Sequence, residues 1–396
     1  QTCALPILIL FGLTSGAAVI TAQYWGKKDI ETIEKVLGIS MRIGLSVGLL
    51  FFAAAQLMPT TLMKIFTSEP IIIEEGVRYL RIVSWSYPLA AAAVVYLNIM
   101  RSVERVIIST LVYSISLVIN VIFNAIFIFG LGPAPAMGVA GAACATVIAH
   151  VVEFGIVVFY ILRINHSVFF RLKNLFIREK ALMKDFKIYA LPVILNELAW
   201  GTGISAIAAI IGHLGSAAVA ANSITQVTRQ LAIVVTMGVA NAAAIILGRT
   251  IGEKKEELAV IYADRLVKLS GLLGIGGSAV VLCVRPIAER FMTLTPEAGV
   301  YLRQMMIIMA FYVLCQSVDV TFIVGAFRAG GDTRIGLLLD FVSLWAICIP
   351  LGFVGAFFLK FPVWGVYLCL TCDEMLKLPF SFARYRSRKW LKNITR

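Results

Sequence analysis

The sequence predicts an all-α polytopic membrane protein built from two homologous halves, and three observations carry that expectation. Hydrophobic residues make up 60% of the 396 and charged residues 14%, with a mean hydropathy of +0.91; a soluble domain is nearer half apolar and a quarter charged. The apolar residues fall in continuous runs of the roughly 20 that a bilayer-spanning helix needs, not in the short alternating segments of a membrane barrel. A short motif also recurs. AAVITAQYWGKK over 17–28 is echoed by AAAIILGRTIGEKK over 242–255, with Ala17 on Ala243, Ile20 on Ile246, Gly26 on Gly252 and Lys28 on Lys254, a constant offset of 226.

Eleven spans are predicted. The first, 5–24, runs into the basic turn AQYWGKKD, where Gly26, like Gly252 in the echo, is expected to permit the turn. A signal peptide would also explain Leu5–Val19, but the same pattern recurs mid-chain, which argues against it. Spans follow at 37–63, 80–100, 107–130 and 137–162. The fourth carries Tyr113, Ser116, Asn120 and Asn124 at i, i+3, i+7 and i+11, an uncharged polar stripe expected to line a cavity. The fifth holds Glu153 beside His150.

The second half begins with 187–212, whose LPVILNELAWGTG places Asn196, Glu197 and Trp200 at membrane depth, after Pro192. Span 217–248 presents Asn222, Gln226 and Arg229 on one face; 266–284 is apolar; 300–326 carries Asp319. Span 335–357 carries Asp340 near Ser343 and Trp345, and 362–383 carries Glu374 and Lys377 at i and i+3, spaced to pair with each other.

The repeat extends further: near offset 227, Arg101 falls on Arg328, and Gly138–Val139 on Gly365–Val366. The expected domains are an N-terminal lobe over 1–165, a linker over 166–186, a C-terminal lobe over 187–384 and a basic tail over 385–396. The first lobe has five spans and the second six. The counterpart of 187–212 would precede residue 1, and the chain has no initiator Met, so it is expected to be a fragment lacking its first helix.

The net charge of +13 reflects topology. With loops assigned alternately, 27 of the 35 Lys and Arg fall on one side and seven on the other, with Arg229 inside a span. Basic loops stay in the cytoplasm, so the C-terminal tail is expected there too. No nucleic-acid partner is implied, and too little chain lies outside the spans for a soluble catalytic domain. The seven Cys sit almost entirely in spans as small apolar residues. Cys369 and Cys372 form a CxxC without His or a second pair, so no metal site and no cofactor are expected.

AQYWGKKD, its counterpart GRTIGEKKEE, FRAGGDTR, GPAPAMGVAGAACAT and the ending EMLKLPFSFARYRSRKWLKNIT, taken in order, resemble the multidrug and toxic compound extrusion (MATE) family, in a bacterial branch. The resemblance runs from the family's second helix to its twelfth. It implies two six-helix lobes, five and six helices of which are present, around a central cavity. It also implies export of small amphiphilic organic cations through the bacterial cytoplasmic membrane, coupled to H+ or Na+.

Ionisable groups inside spans are costly and by default face a cavity or a partner. Glu197, Asp319 and Asp340 are therefore the expected coupling-cation residues, with Na+ able to sit at Glu197 and Asp319. In NorM-type relatives an acid at about the depth of Asp319 belongs to the cation site. Asn196, Trp200, Asn222, Gln226, Arg229, Tyr113, Asn120 and Asn124 are expected along the substrate path. Arg229 is expected to pair with Glu197 or Asp319, a pair that protonation could loosen. A monomer is expected. A flippase of lipid-linked precursors would need several cavity cations where this chain offers one buried Arg. A membrane-embedded enzyme would need a DDxxD or HExxH motif that the sequence lacks.

Overall fold

The computed structural model describes residues 4–64, 69–131, 135–177, 179–292 and 294–395; among them the regular structure is helical, with no strand. They form two compact units, Gln1–Ile194 and Leu195–Arg396. Among the described residues nine helical runs are long and apolar enough to cross a membrane, and ten spans result if one bent pair counts as a crossing.

Unit 1 comprises α1 (Ala4–Lys27), α2 (Ile30–Leu57), α3 (Pro59–Lys64), α4 (Pro70–Val83), α5 (Ser86–Ser102), α6 (Val106–Phe129), α7 (Val139–Arg163) and the start of α8 (Lys180–Gly212). The second expected span is displaced: α2 begins at Ile30, where Asp29 accepts from the Thr32 N–H, and ends before Pro59. The third is longer than expected and bent, α4 meeting α5 at 54°. Gly132–Ala134 of the GPAPAMGV motif lie outside the described residues. The segment after α7 is fixed to the unit: the Asn165 amide donates to Tyr96 Oη at 2.8 Å, and the Phe169 N–H to Glu34 Oε1 at 2.9 Å. The Asn174 backbone lies against Gly38, where a Cβ would collide with it.

Unit 2 holds the rest of α8, α9 (Ser216–Gly252), α10 (Glu256–Phe291), α11 (Pro296–Val320), α12 (Thr333–Phe341), α13 (Ile349–Phe357), α14 (Val363–Leu370) and α15 (Asp373–Arg386). Two stretches, Thr321–Phe327 after α11 and Val342–Cys348 between α12 and α13, are wound as π-helix. The eleventh expected span, 362–383, is not one helix. It breaks at Thr371–Cys372 into α14 and α15, where two acids, Asp373 and Glu374, open the second helix. Acids at a helix N-terminus are favoured by its dipole, and in mid-helix they would be buried without that compensation.

The repeat is visible in the backbone. After α1, Lys28 has φ 64° and the Asp29 N–H donates to Tyr24 O at 3.0 Å; after α9, Lys254 has φ 62° and the Lys255 N–H donates to Thr250 O at 3.1 Å. Glu104 and Gly331 form a second matched pair, with the Arg105 N–H on Met100 O and the Asp332 N–H on Phe327 O. Each is a left-handed helix cap with a six-to-one hydrogen bond. The turn residues are thus Lys28 and Lys254, and Gly26 and Gly252 are helical; the cap's hydrogen bonds offset the cost of a side chain at positive φ. Gly138, with φ 56°, is not matched by a positive φ at Gly365.

The chain's end is anchored. Trp390 is 1% exposed and stacks on Tyr385 with centroids 5.7 Å apart. Arg384 and Lys392 each lie 2.7 Å from Asp332, and the Asn393 amide donates to Ile251 O at 3.0 Å.

Candidate functional site

Charge collects in unit 2 where α11, α12 and α15 meet. Lys377 Nζ lies 2.7 Å from Asp340 Oδ1, 3.1 Å from Glu374 Oε1 and 3.9 Å from Asp373 Oδ2. The expected Glu374–Lys377 pairing is therefore present, inside a larger group. Asp319 is fully buried and acts electrostatically on the same lysine and on Asp340 and Asp373. The Ser381 hydroxyl of α15 faces its carboxylate, and Glu374 Oε2 has no hydrogen-bond partner. Helix periodicity explains the α15 members: Asp373, Glu374 and Lys377 stand at i, i+1 and i+4, so both acids reach the lysine within the first turn.

Asn196 joins the group from α8, donating to Asp340 Oδ2 at 2.8 Å while its own Oδ1 stays unpartnered. Asp340 is thus held on two sides and is not a solvated interfacial acid. Trp345 Nε1–H donates to Ala199 O at 2.9 Å, and Leu344 packs where a Cβ on Gly203 would stand. These contacts fix α8 against the π-wound stretch. Trp200, one turn past Glu197, is half-buried.

Glu197 and Arg229 do not pair. Glu197 Oε1 accepts from Arg328 at 2.7 Å, with side-chain exposures of 12% and 5%. Arg229 Nε donates to Gln226 Oε1 at 2.9 Å, and a terminal guanidinium nitrogen donates to Gln316 Oε1 at 3.2 Å. The Gln316 amide in turn reaches Glu374 Oε1 at 3.5 Å. Arg229 therefore connects to the cluster through a neutral relay rather than by an ion pair. Asn222, on the same α9 face, has its Oδ1 unpartnered. The sequence places Arg328 just beyond a span, yet it is buried, because the π-wound stretch carries the helix on to it; Lys377, expected within the last span, is buried in α15.

Unit 1 has a cavity of about 500 Å³ lined by Asn98, Arg101, Tyr113, Thr146 and His150 among mostly apolar side chains. Arg101 donates to Asn98 Oδ1. His150 Nδ1 lies 3.0 Å from the buried Glu153, and the Ser116 hydroxyl donates to that carboxylate at 3.4 Å. Farther along α6 the Asn124 amide donates to Asn120 Oδ1 at 2.8 Å. Of the predicted stripe, only Tyr113 lines this cavity.

At offset 227, Arg328, Asp340, Asp373 and Lys377 correspond to Arg101, Tyr113, Thr146 and His150. All four counterparts line the unit 1 cavity. Among the described residues no three His, Cys, Asp or Glu side chains are arranged to hold a metal ion.

Sequence reasoning missed Asp373, Gln316 and the role of Lys377. The available signal was three charges, at 373, 374 and 377, inside a run read as a span, which is itself grounds for a site.

The MatE family model matches residues 1–126 and 192–354. Similar proteins include the uncharacterized transporter YisQ of Bacillus subtilis, 22% identical over 98% of this chain and 85% of its own length. The multidrug resistance protein MdtK of Photorhabdus laumondii is 25% identical over 88% and 77%, and the probable multidrug resistance protein NorM of Thermotoga maritima 22% over 97% and 82%. Among solved structures, a MOP superfamily transporter from Pyrococcus furiosus superposes with a TM-score of 0.86 at 19% identity, over 97% of this chain and 85% of that one. A multidrug resistance MATE transporter in an outward-facing conformation superposes with 0.84 at 19% identity, over 97% and 84%.

Proposed function

We propose that this chain, which belongs to the MatE family of membrane transporters, exports small amphiphilic organic cations across a bacterial plasma membrane, driven by inward movement of H+ or Na+. The observation that supports this reading is the group of the buried Asp319, Asp373 and Glu374 and the half-buried Asp340 around one lysine. Four acids facing one internal cation leave negative charge that a buried site tolerates only with protons or a further cation present. An antiporter requires that property. Two positive ligands compete for the same carboxylates, and occupancy by one expels the other.

On this reading, protons or Na+ arriving from outside neutralise Asp319 and Asp340 and release the organic cation. Their loss to the cytoplasm restores the field that draws in the next substrate. Asn196 orients Asp340, Trp200 offers a π face to a cation, and Gln226, Arg229 and Gln316 brace Glu374. Glu197 serves by holding Arg328. Asn222 adds a polar contact on the same path, and Tyr113, Asn120 and Asn124 supply neutral polar groups in the first half. The halves proposed above, 1–165 and 187–384 joined by 166–186, alternate access as a monomer, with the C-terminus in the cytoplasm. The multidrug names of the relatives support the substrate class.

The test is ethidium transport by the purified chain in vesicles, with pH and Na+ gradients imposed separately. Asp340→Asn and Asp319→Asn should each lower gradient-driven transport at least tenfold. Full activity in both variants would remove the cluster from the mechanism.

A further inference from the structure

The cation standing among these carboxylates belongs to the protein. Lys377 has three acids within 3.9 Å and a fourth, Asp319, acting on it electrostatically, and the residue is 6% exposed. Its position works against its own helix: Lys377 lies in the opening turns of α15, whose dipole end is positive. The carboxylates therefore hold it there. A structural ion pair needs one acid; this ammonium has an excess. The groups around it are Asp319 and Tyr312 from α11, Asp340 from α12, Cys348 from the second π-wound stretch, Asp373 and Glu374 from α15, and Arg229 of α9 through Gln316.

The repeat supplies an independent observation. The positions of Asp340, Asp373 and Lys377 correspond to Tyr113, Thr146 and His150, which border open space in unit 1. A place that is a cavity in one half carries a lysine among acids in the other.

We infer, resting on the antiporter reading above, that the Lys377 ammonium is a tethered stand-in for the transported cation and makes the coupling protonic rather than sodium-based. With no substrate bound, Lys377 neutralises part of the cluster, and an organic cation binds by displacing it. A hard metal cation needs a shell of about six oxygens, and here the ammonium holds oxygens of Asp340 and Glu374. A proton needs only one acceptor, and the Asp319 carboxylate, faced by the Ser381 hydroxyl, and the unpartnered Oε2 of Glu374 each offer one.

The test uses the purified chain in nanodiscs, comparing thermal unfolding in sodium chloride with choline chloride. The wild type and Lys377→Arg should be indifferent to Na+. Lys377→Met should gain a saturable, Na+-dependent rise in unfolding temperature. Ethidium should bind Lys377→Met about tenfold tighter, because the competing internal state is gone. Saturable stabilisation of the wild type by Na+ overturns the inference whatever the variants do. So does a folded Lys377→Met that ignores Na+ and binds ethidium as the wild type does. Absence of pH-driven ethidium transport by the wild type would instead sink the antiporter reading, leaving the binding results to be judged separately.

Discussion

Glu197→Gln removes a charge while keeping the side chain's shape, and the structure fixes what that should do. The carboxylate accepts from Arg328 at 2.7 Å, with both side chains largely buried. At that separation the attraction is about 6 kcal/mol for an effective dielectric near 20, and desolvation of the two charges offsets much of it. The variant takes the Glu197 charge from beside a buried guanidinium, a change that costs up to about 3–5 kcal/mol. Arg328→Gln strands the carboxylate and should cost a similar amount. The double variant buries neither charge and should recover about 2–3 kcal/mol of the summed loss, as directly contacting groups do. For a unit of about 200 residues, 1 kcal/mol moves the unfolding midpoint by roughly 2–4 °C. Each single variant should then melt about 10 °C lower, and the double variant well above what two such losses predict.

The assay is thermal unfolding of the four proteins followed by gel filtration, with ethidium transport measured on the same preparations. Strict additivity would refute the pairing. The cycle also decides what Glu197 does in transport, because loss of transport in Glu197→Gln alone mixes stability with chemistry. Transport restored in the double variant makes Glu197 a positioning residue for Arg328. Transport absent in a stable double variant means that the carboxylate itself is needed.

Trp390→Ala should destabilise unit 2 by about 3–5 kcal/mol, since it empties a buried aromatic site against Tyr385, read as an earlier unfolding transition. Gly330→Ala puts a Cβ into the Trp390 carbonyl and should release the segment after Arg386, detected as new protease cleavage between 387 and 395. Gly38→Ala should loosen the 165–177 segment in the same assay by pushing on the Asn174 backbone. Lys28→Gly and Lys254→Gly should each stabilise by about 1 kcal/mol by relieving a positive φ, and a lowered melting temperature in both would contradict the cap assignment.

The fold was legible because hydrophobic length and the repeat are properties of the chain alone. Apolar runs marked ten of the eleven spans, though the second is displaced and the third and eighth begin ten residues earlier than expected, at Pro70 and Glu256, and the 226-residue echo matched caps that recur at Lys28 and Lys254. Cross-helix register was not legible. Asp319 and Asp340 were singled out as costly intramembrane acids, but nothing in their spacing selects Lys377 as the group between them. Arg229 was paired with the wrong partners for the same reason: its own helix presents it, but α11 decides that Gln316 meets it. Arg328 was hidden by a rule that is sound on average, since most cations at span ends do mark loops, and Lys377 was legible only as the partner of Glu374.

The halves differ where the charges are. Asp319 stands two residues before the π-wound stretch at Thr321, Asp340 two before the one at Val342, and Asp373 follows the break at Thr371–Cys372. The unit 1 counterparts of the last two regions, α6 and α7, run as unbroken α-helix. A π turn inserts about one residue, which rotates everything beyond it by roughly 100°. A helical repeat can in this way aim acids at one point without altering its helix count. Inserted turns lower helix regularity and buried acids raise the electrostatic cost, and unit 2 has both in three neighbouring places. Features that each oppose stability and converge on one lysine fit a use for the charge itself. That is the physical ground on which the proposed ion coupling is assigned to the second half of this chain.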